Sequence, residues 1–178
     1  MSRLPILLAC LLLAAFAASC GDDENEAAAP NDTPTATATP AAAGEVDTAG
    51  ISKDLTEKPA VAKPSGTPPA ELQKTDIVKG DGKAAKAGDT VAVQYVGNSW
   101  STGTQFDASW DRGTDPFKFP LGAGQVIPGW DQGVAGMKEG GRRLLVIPPE
   151  LAYGEQSPSP DIAPNETLIF VVDLKKVS

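Results

Sequence analysis

A chain of 178 residues without a single histidine has few ways to make or break covalent bonds. Ser-His-Asp and Cys-His catalysis are excluded, as are ordinary His-ligated metal centres. What the chain offers instead is a dense set of aromatic and branched residues with few polar partners: Tyr95, Phe106, Asp107, Trp110, Phe117, Phe119, Val126, Ile127, Trp130, Tyr153 and Phe170. Within "GQVIPGWDQGVAGM", Val126, Ile127 and Trp130 cluster at the start of a helical stretch. Bulky residues there ordinarily bury themselves in core. The stretch alone therefore leaves two readings open, core packing or the floor of a pocket. Asp107, a carboxylate in the run "TQFDAS", is by type a turn or surface residue unless a site surrounds it.

Other chemistries find no support. "KGDGKAAKAGDT" and "LGAGQVIPG" spell neither G-x-G-x-x-G nor a phosphate-binding loop, since Ile127 stands where the third glycine would be needed. A net charge of -8 and a pI near 4.5 argue against nucleic acid, whose phosphates require a basic patch. Arg142 and Arg143 form one adjacent pair, expected at a solvated strand position. No metal site or cofactor is expected.

The elements that must position these residues begin near Glu71, where turns and alternating apolar residues first appear. Strands are predicted in "ELQKTDIVKG", "DTVAVQYVG", "TQFDAS", "PFKFPL", "RRLLVIPP" and "ETLIFVVDLKKVS". Leu168, Phe170, Val172 and Leu174 alternate along the last, which predicts a sheet with one buried face. Only the stretch from Gly124 to Met137 looks helical, with Pro128 near its first turn, Gly136 near its stop, and Trp130 and Val134 four apart. The expected architecture is α+β: an antiparallel sheet packed on one short helix, formed by residues 70–178.

Residues 1–19 have the layout of a secretory signal: Arg3, an apolar run too short for a confident membrane span, then Ala17, Ala18 and Ser19 before Cys20. Cleavage there resembles bacterial lipoprotein processing, with acylation of Cys20 anchoring the chain to the outer face of the cytoplasmic membrane or another envelope membrane. Cys10 would be lost with the signal, so no disulfide is expected. Residues 20–69 are rich in Ala, Pro and Thr and poor in large apolar residues, and are expected to form a disordered tether.

The run "GTQFDASWDRGTDPFKFPLGAGQVIPGWDQGVAGMKEGGRRLLVIPPELAYG" resembles the tacrolimus- and rapamycin-binding immunophilins, the FKBP-type peptidyl-prolyl cis-trans isomerases. "FD", "PFKFPLG", "VIPGWDQGV", "AYG" and the closing "TLIFVVDL" occur in the family's order and approximate spacing. The resemblance implies a half-open antiparallel sheet wrapped around a short helix, with the site between them. It implies Trp130 as the pocket floor and Tyr95, Phe106, Phe119, Val126, Ile127, Tyr153 and Phe170 as walls. The Ile127 N–H and Tyr153 hydroxyl would bind the carbonyls flanking the substrate proline, while Tyr95 and Arg112 orient Asp107. Two departures are Trp110, whose bulk can narrow the entrance, and Ala163, where a proline is frequent in a loop that touches substrate.

The implied activity needs no nucleophile. Rotation about a peptide bond faces a barrier of about 18–20 kcal/mol arising from amide resonance. An apolar cavity that strips water from an X-Pro amide disfavours its planar, charge-separated form. The expectation is a monomeric isomerase that serves exported, proline-containing polypeptides and accepts macrolide ligands. The alternative is a catalytically weak binding module or chaperone using the same cleft.

Overall fold

The computed structural model describes residues 44–178. The signal peptide, Cys20 and the tether up to residue 43 lie outside the described residues. Six strands form one antiparallel sheet: β1 (Gln73–Val78), β2 (Thr90–Ser99), β3 (Gln105–Ala108), β4 (Phe117–Pro120), β5 (Gly141–Ile147) and β6 (Leu168–Val177), in the order β1-β5-β6-β2-β3, with β4 pairing to the start of β2. Among the described residues one α-helix, α1 (Pro128–Val134), packs on the inner face, as expected for the α+β class. No helix among the described residues is long and apolar enough to cross a membrane.

A helix of seven residues is too short to hold itself together, so tertiary packing must stabilise it. Pro128 opens it at a position where a missing N–H costs nothing, and Gly136, with φ of 79°, turns the chain away after its end. Gly129 and Gly133 let it lie close against β5. A Cβ on Gly129 would sit 2.3 Å from Ile147 Cγ2, and one on Gly133 would sit 2.6 Å from Leu145 Cδ1. Between helix and sheet lies the main core, built from Val91, Val93, Phe119, Trp130, Val134, Leu145, Ile147, Leu168, Phe170, Val172 and Leu174.

The outer face differs from the sequence-based expectation. Leu144, Val146, Ile169 and Val171 point away from the helix, yet they too are buried, together with Trp100, under Val46 and Ile51. Residues 44–69 are therefore not wholly a free tether. Three apolar side chains, Val46, Ile51 and Val61, suffice because the sheet supplies the rest of that second core. Polar anchors complete the attachment.

Arg142 is the principal anchor, and its placement corrects the solvated position expected for it. Its side chain is fully buried. The guanidinium grips Asp173 through Nε to Oδ1 at 2.5 Å and NH2 to Oδ2 at 2.7 Å, and it also donates to the carbonyls of Ser52 and Glu57. Burial pushes the Asp173 carboxyl pKa up, opposed by Arg142. Arg143 points to the other side, where it pairs with Asp76 and donates to the carbonyls of Gly133 and Ala135, capping the end of α1.

Candidate active site

Between α1 and the curled sheet opens a cleft of about 400 Å³, within the range of small-ligand sites. Trp130 forms its base from the first turn of α1. The indole stands edge-on to Tyr95 of β2 (centroids 5.0 Å apart, 85°) and to Phe170 of β6 (5.2 Å, 90°), geometry favoured by the ring quadrupoles. Its Nε1 is buried without a hydrogen-bond partner among the described residues. Phe106 of β3 extends the wall, 5.5 Å edge-on to Phe170.

Val126 and Ile127 reach the cleft from the loop before α1. Asp131, one turn into the helix, fixes that loop by accepting from the N–H groups of Gly122 at 2.8 Å and Gly124 at 3.1 Å. The Ile127 N–H has no backbone acceptor among the described residues. Tyr153 follows the 3-10 turn Pro149–Leu151 and borders the cleft half-exposed. Burial first, and then the charge of Asp107, push its pKa above the ordinary phenol value.

Asp107 lines the cleft beside two oriented donors. Tyr95 Oη donates to Oδ2 at 2.5 Å, Arg112 NH1 donates to Oδ1, and Arg112 NH2 donates to Tyr95 Oη at 2.6 Å. Burial, and next the hydrogen bond to Asp107, push the Tyr95 pKa up to about 12. Asp107 and Tyr95 together hold the Arg112 guanidinium more firmly protonated still. This triangle directs the polar atoms of the wall toward one another and leaves the rest of the surface apolar. Ser109 pins the supporting turn: buried, its Oγ accepts from the Tyr95 N–H at 2.8 Å and donates to Gln94 Oε1.

The structure thus brings together Tyr95, Phe106, Asp107, Val126, Ile127, Trp130, Tyr153 and Phe170 around one cleft, with Arg112 behind Asp107. Phe119 requires correction. It is buried beneath the cleft, stacked on Phe117 at 5.6 Å and tilted against Trp130, whereas Phe117 is the ring that lines the cavity. Register explains the exchange: Phe117 pairs with Val93, close to Tyr95, while Phe119 pairs with Val91, deeper in the core. Gln125 also lines the cleft, and no feature of the sequence distinguishes it.

Trp110 does not line the cleft. Its ring lies 5.5 Å beneath the ammonium of Lys175. Ala163 is exposed in the loop between Tyr153 and β6 and is not part of the cavity lining.

Among the described residues, a half-open antiparallel sheet packed on one short helix, with an aromatic cleft and an oriented carboxylate between them, defines an α+β fold with one apolar cleft. Residues 81–175 match the family model of the FKBP-type peptidyl-prolyl cis-trans isomerases. The chain is 62% identical over 122 residues to an FK506-binding protein of Streptomyces anulatus, covering 68% of this chain and 98% of that one. A probable FK506-binding protein of Corynebacterium glutamicum is 46% identical over 118 residues, 66% of this chain and 97% of the relative. The chain belongs to the FKBP-type peptidyl-prolyl isomerase family.

Proposed function

We propose that the chain isomerises X-Pro bonds of exported polypeptides, held outside the cytoplasmic membrane by lipid on Cys20. One observation carries the catalytic part: a cleft with aromatic and aliphatic walls whose carboxylate is already occupied by Tyr95 and Arg112. A proline ring is compact and brings no N–H, so it can rest on Trp130 without stranding a donor. The Ile127 N–H and Tyr153 hydroxyl then hold the flanking carbonyls, and dewetting of the amide weakens the resonance that opposes rotation. Because no bond is made to the chain, the pocket acts by favouring the twisted amide over the planar one.

The same cleft binds FK506-type macrolides in this reading, supported by the names of the relatives. Half-exposed Phe117 and Tyr153 at the border also suit a weaker role, holding proline-containing segments without catalysis. A protease-coupled assay on X-Pro peptides separates the two: acceleration blocked by FK506 supports the isomerase, and binding without acceleration supports the holding module. Mass spectrometry of the mature protein tests the anchor. Diacylglyceryl and acyl groups on an amino-terminal Cys20 are expected, and an unmodified Cys20 would overturn that part.

A further inference from the structure

Residues 52–58 grip, from outside, the turn that carries Arg112. Lys58 Nζ reaches Asp111 Oδ1 at 2.6 Å, and Asp111 Oδ2 accepts from Gln105 Nε2 at 2.8 Å. Lys175 Nζ donates to the Leu55 carbonyl at 2.6 Å while standing over Trp110. Trp110 and Asp111 immediately precede Arg112, and Gln105 lies two residues before Asp107 on the same strand. The contacts therefore hold both the turn that carries Arg112 and the strand that carries Asp107.

The turn itself, Ser109–Arg112, is a single four-residue 3-10 segment without a side-chain cap. Ser109 secures its beginning on β2, but its end runs directly into Gly113, at φ of 110°. Arg112 is half-exposed and long, so the direction of its guanidinium depends on where the end of that turn is held. The bonds to Lys58 and, through Trp110, to Lys175 supply that restraint.

We infer that Lys58 and Lys175 are positioning residues for the Asp107–Arg112 pair, which makes the N-terminal segment part of the support of the catalytic cleft. The inference rests on the isomerase reading. Lys58 and Lys175 are themselves partly exposed, so each pair contributes modestly and removal of both is the informative change. Lys175 also lies 4.0 Å from Asp173, which is why Lys58→Met is measured alone as well.

The test is kcat/KM for X-Pro exchange in the full chain carrying Lys58→Met, Lys58→Met with Lys175→Met, and Lys58→Arg, each with and without Asp107→Asn. With Asp107 intact, the double lysine variant is expected to lose about fivefold, and Lys58→Arg to retain wild-type activity. In the Asp107→Asn background the lysine changes should have no further effect, because coupled residues are not additive. Equal losses in both backgrounds would mean a general structural role and overturn the inference. So would an unchanged double variant in a chain whose wild type is active. No acceleration by the wild type would overturn the isomerase reading, and this one with it.

Discussion

Tyr95 and Asp107 meet across the seam between β2 and β3, hydroxyl to carboxylate at 2.5 Å, while the same hydroxyl accepts from Arg112 at 2.6 Å. The strand register makes this possible, since Asp107 pairs with Gly97 and Tyr95 is its diagonal neighbour on the same face. Asp107→Asn keeps the shape but removes the charge that aligns both donors. Its kcat/KM for X-Pro peptides is expected to fall about tenfold, the scale of a charge-assisted hydrogen bond in a half-exposed setting. Steady-state kinetics of the purified variant checks this.

Alkaline titration reads the same relationship from the other side. The chain has two tyrosines, and both phenols have raised pKa values, Tyr95 to about 12. A folded pKa above the unfolded value of 10.0 means that Tyr95 contributes stability fully below pH 10 and loses it between pH 10 and about 12. Phenolate absorbance should therefore lag behind that of the denatured chain, and melting temperature should drop across the same interval. Asp107→Asn should shift the Tyr95 midpoint down without returning it to 10, because burial remains the first cause.

Gly129→Ala and Gly133→Ala test how closely α1 lies on β5. Alanine favours a helix by about 1 kcal/mol over glycine, but here its methyl would meet Ile147 at 2.3 Å or Leu145 at 2.6 Å. Overpacking should dominate, and each variant is expected to lose about 1–3 kcal/mol in chemical denaturation.

Arg142→Met should be far more damaging than a change at an ordinary strand arginine. It leaves Asp173 buried without its partner and frees the carbonyls of Ser52 and Glu57. A loss of about 3–5 kcal/mol is expected, with earlier proteolysis between residues 52 and 58. Arg142→Met combined with Asp173→Leu should recover part of the stability, since no charge is then stranded.

The inner half of this molecule was legible in its sequence, and the outer half was not. Alternation found the strands, Pro128 and Gly136 bracketed the helix, and the cleft residues followed from the family resemblance. The runs "RRLLVIPP" and "TLIFVVDL" carried a further signal, because continuous apolar strands are those buried on both faces. What covers the second face has no periodicity of its own: Val46, Ile51 and Val61 are scattered among prolines and charges. Arg142 gave no local sign of burial because Asp173 lies thirty-one residues away in sequence. Phe117 and Phe119 share one face of β4, so alternation could not choose between them, and only the register with β2 does.

Trp130 provides a direct probe of the cleft base. Trp130→Leu keeps the position apolar while removing the flat surface held edge-on by Tyr95 and Phe170. FK506 affinity, followed by calorimetry, should fall more than tenfold, beyond what the accompanying loss of stability explains. An unchanged affinity would return Trp130 to a purely structural role.

Acceleration of X-Pro rotation by this cleft is tested most directly by magnetisation exchange between the cis and trans resonances of an X-Pro peptide, with the chain present in substoichiometric amount. Uncatalysed interconversion takes tens to hundreds of seconds. Exchange is expected to accelerate into the second range or faster, and to return to the slow rate when one equivalent of FK506 per chain is added. Exchange that stays at the uncatalysed rate with the folded wild-type chain would contradict the isomerase reading.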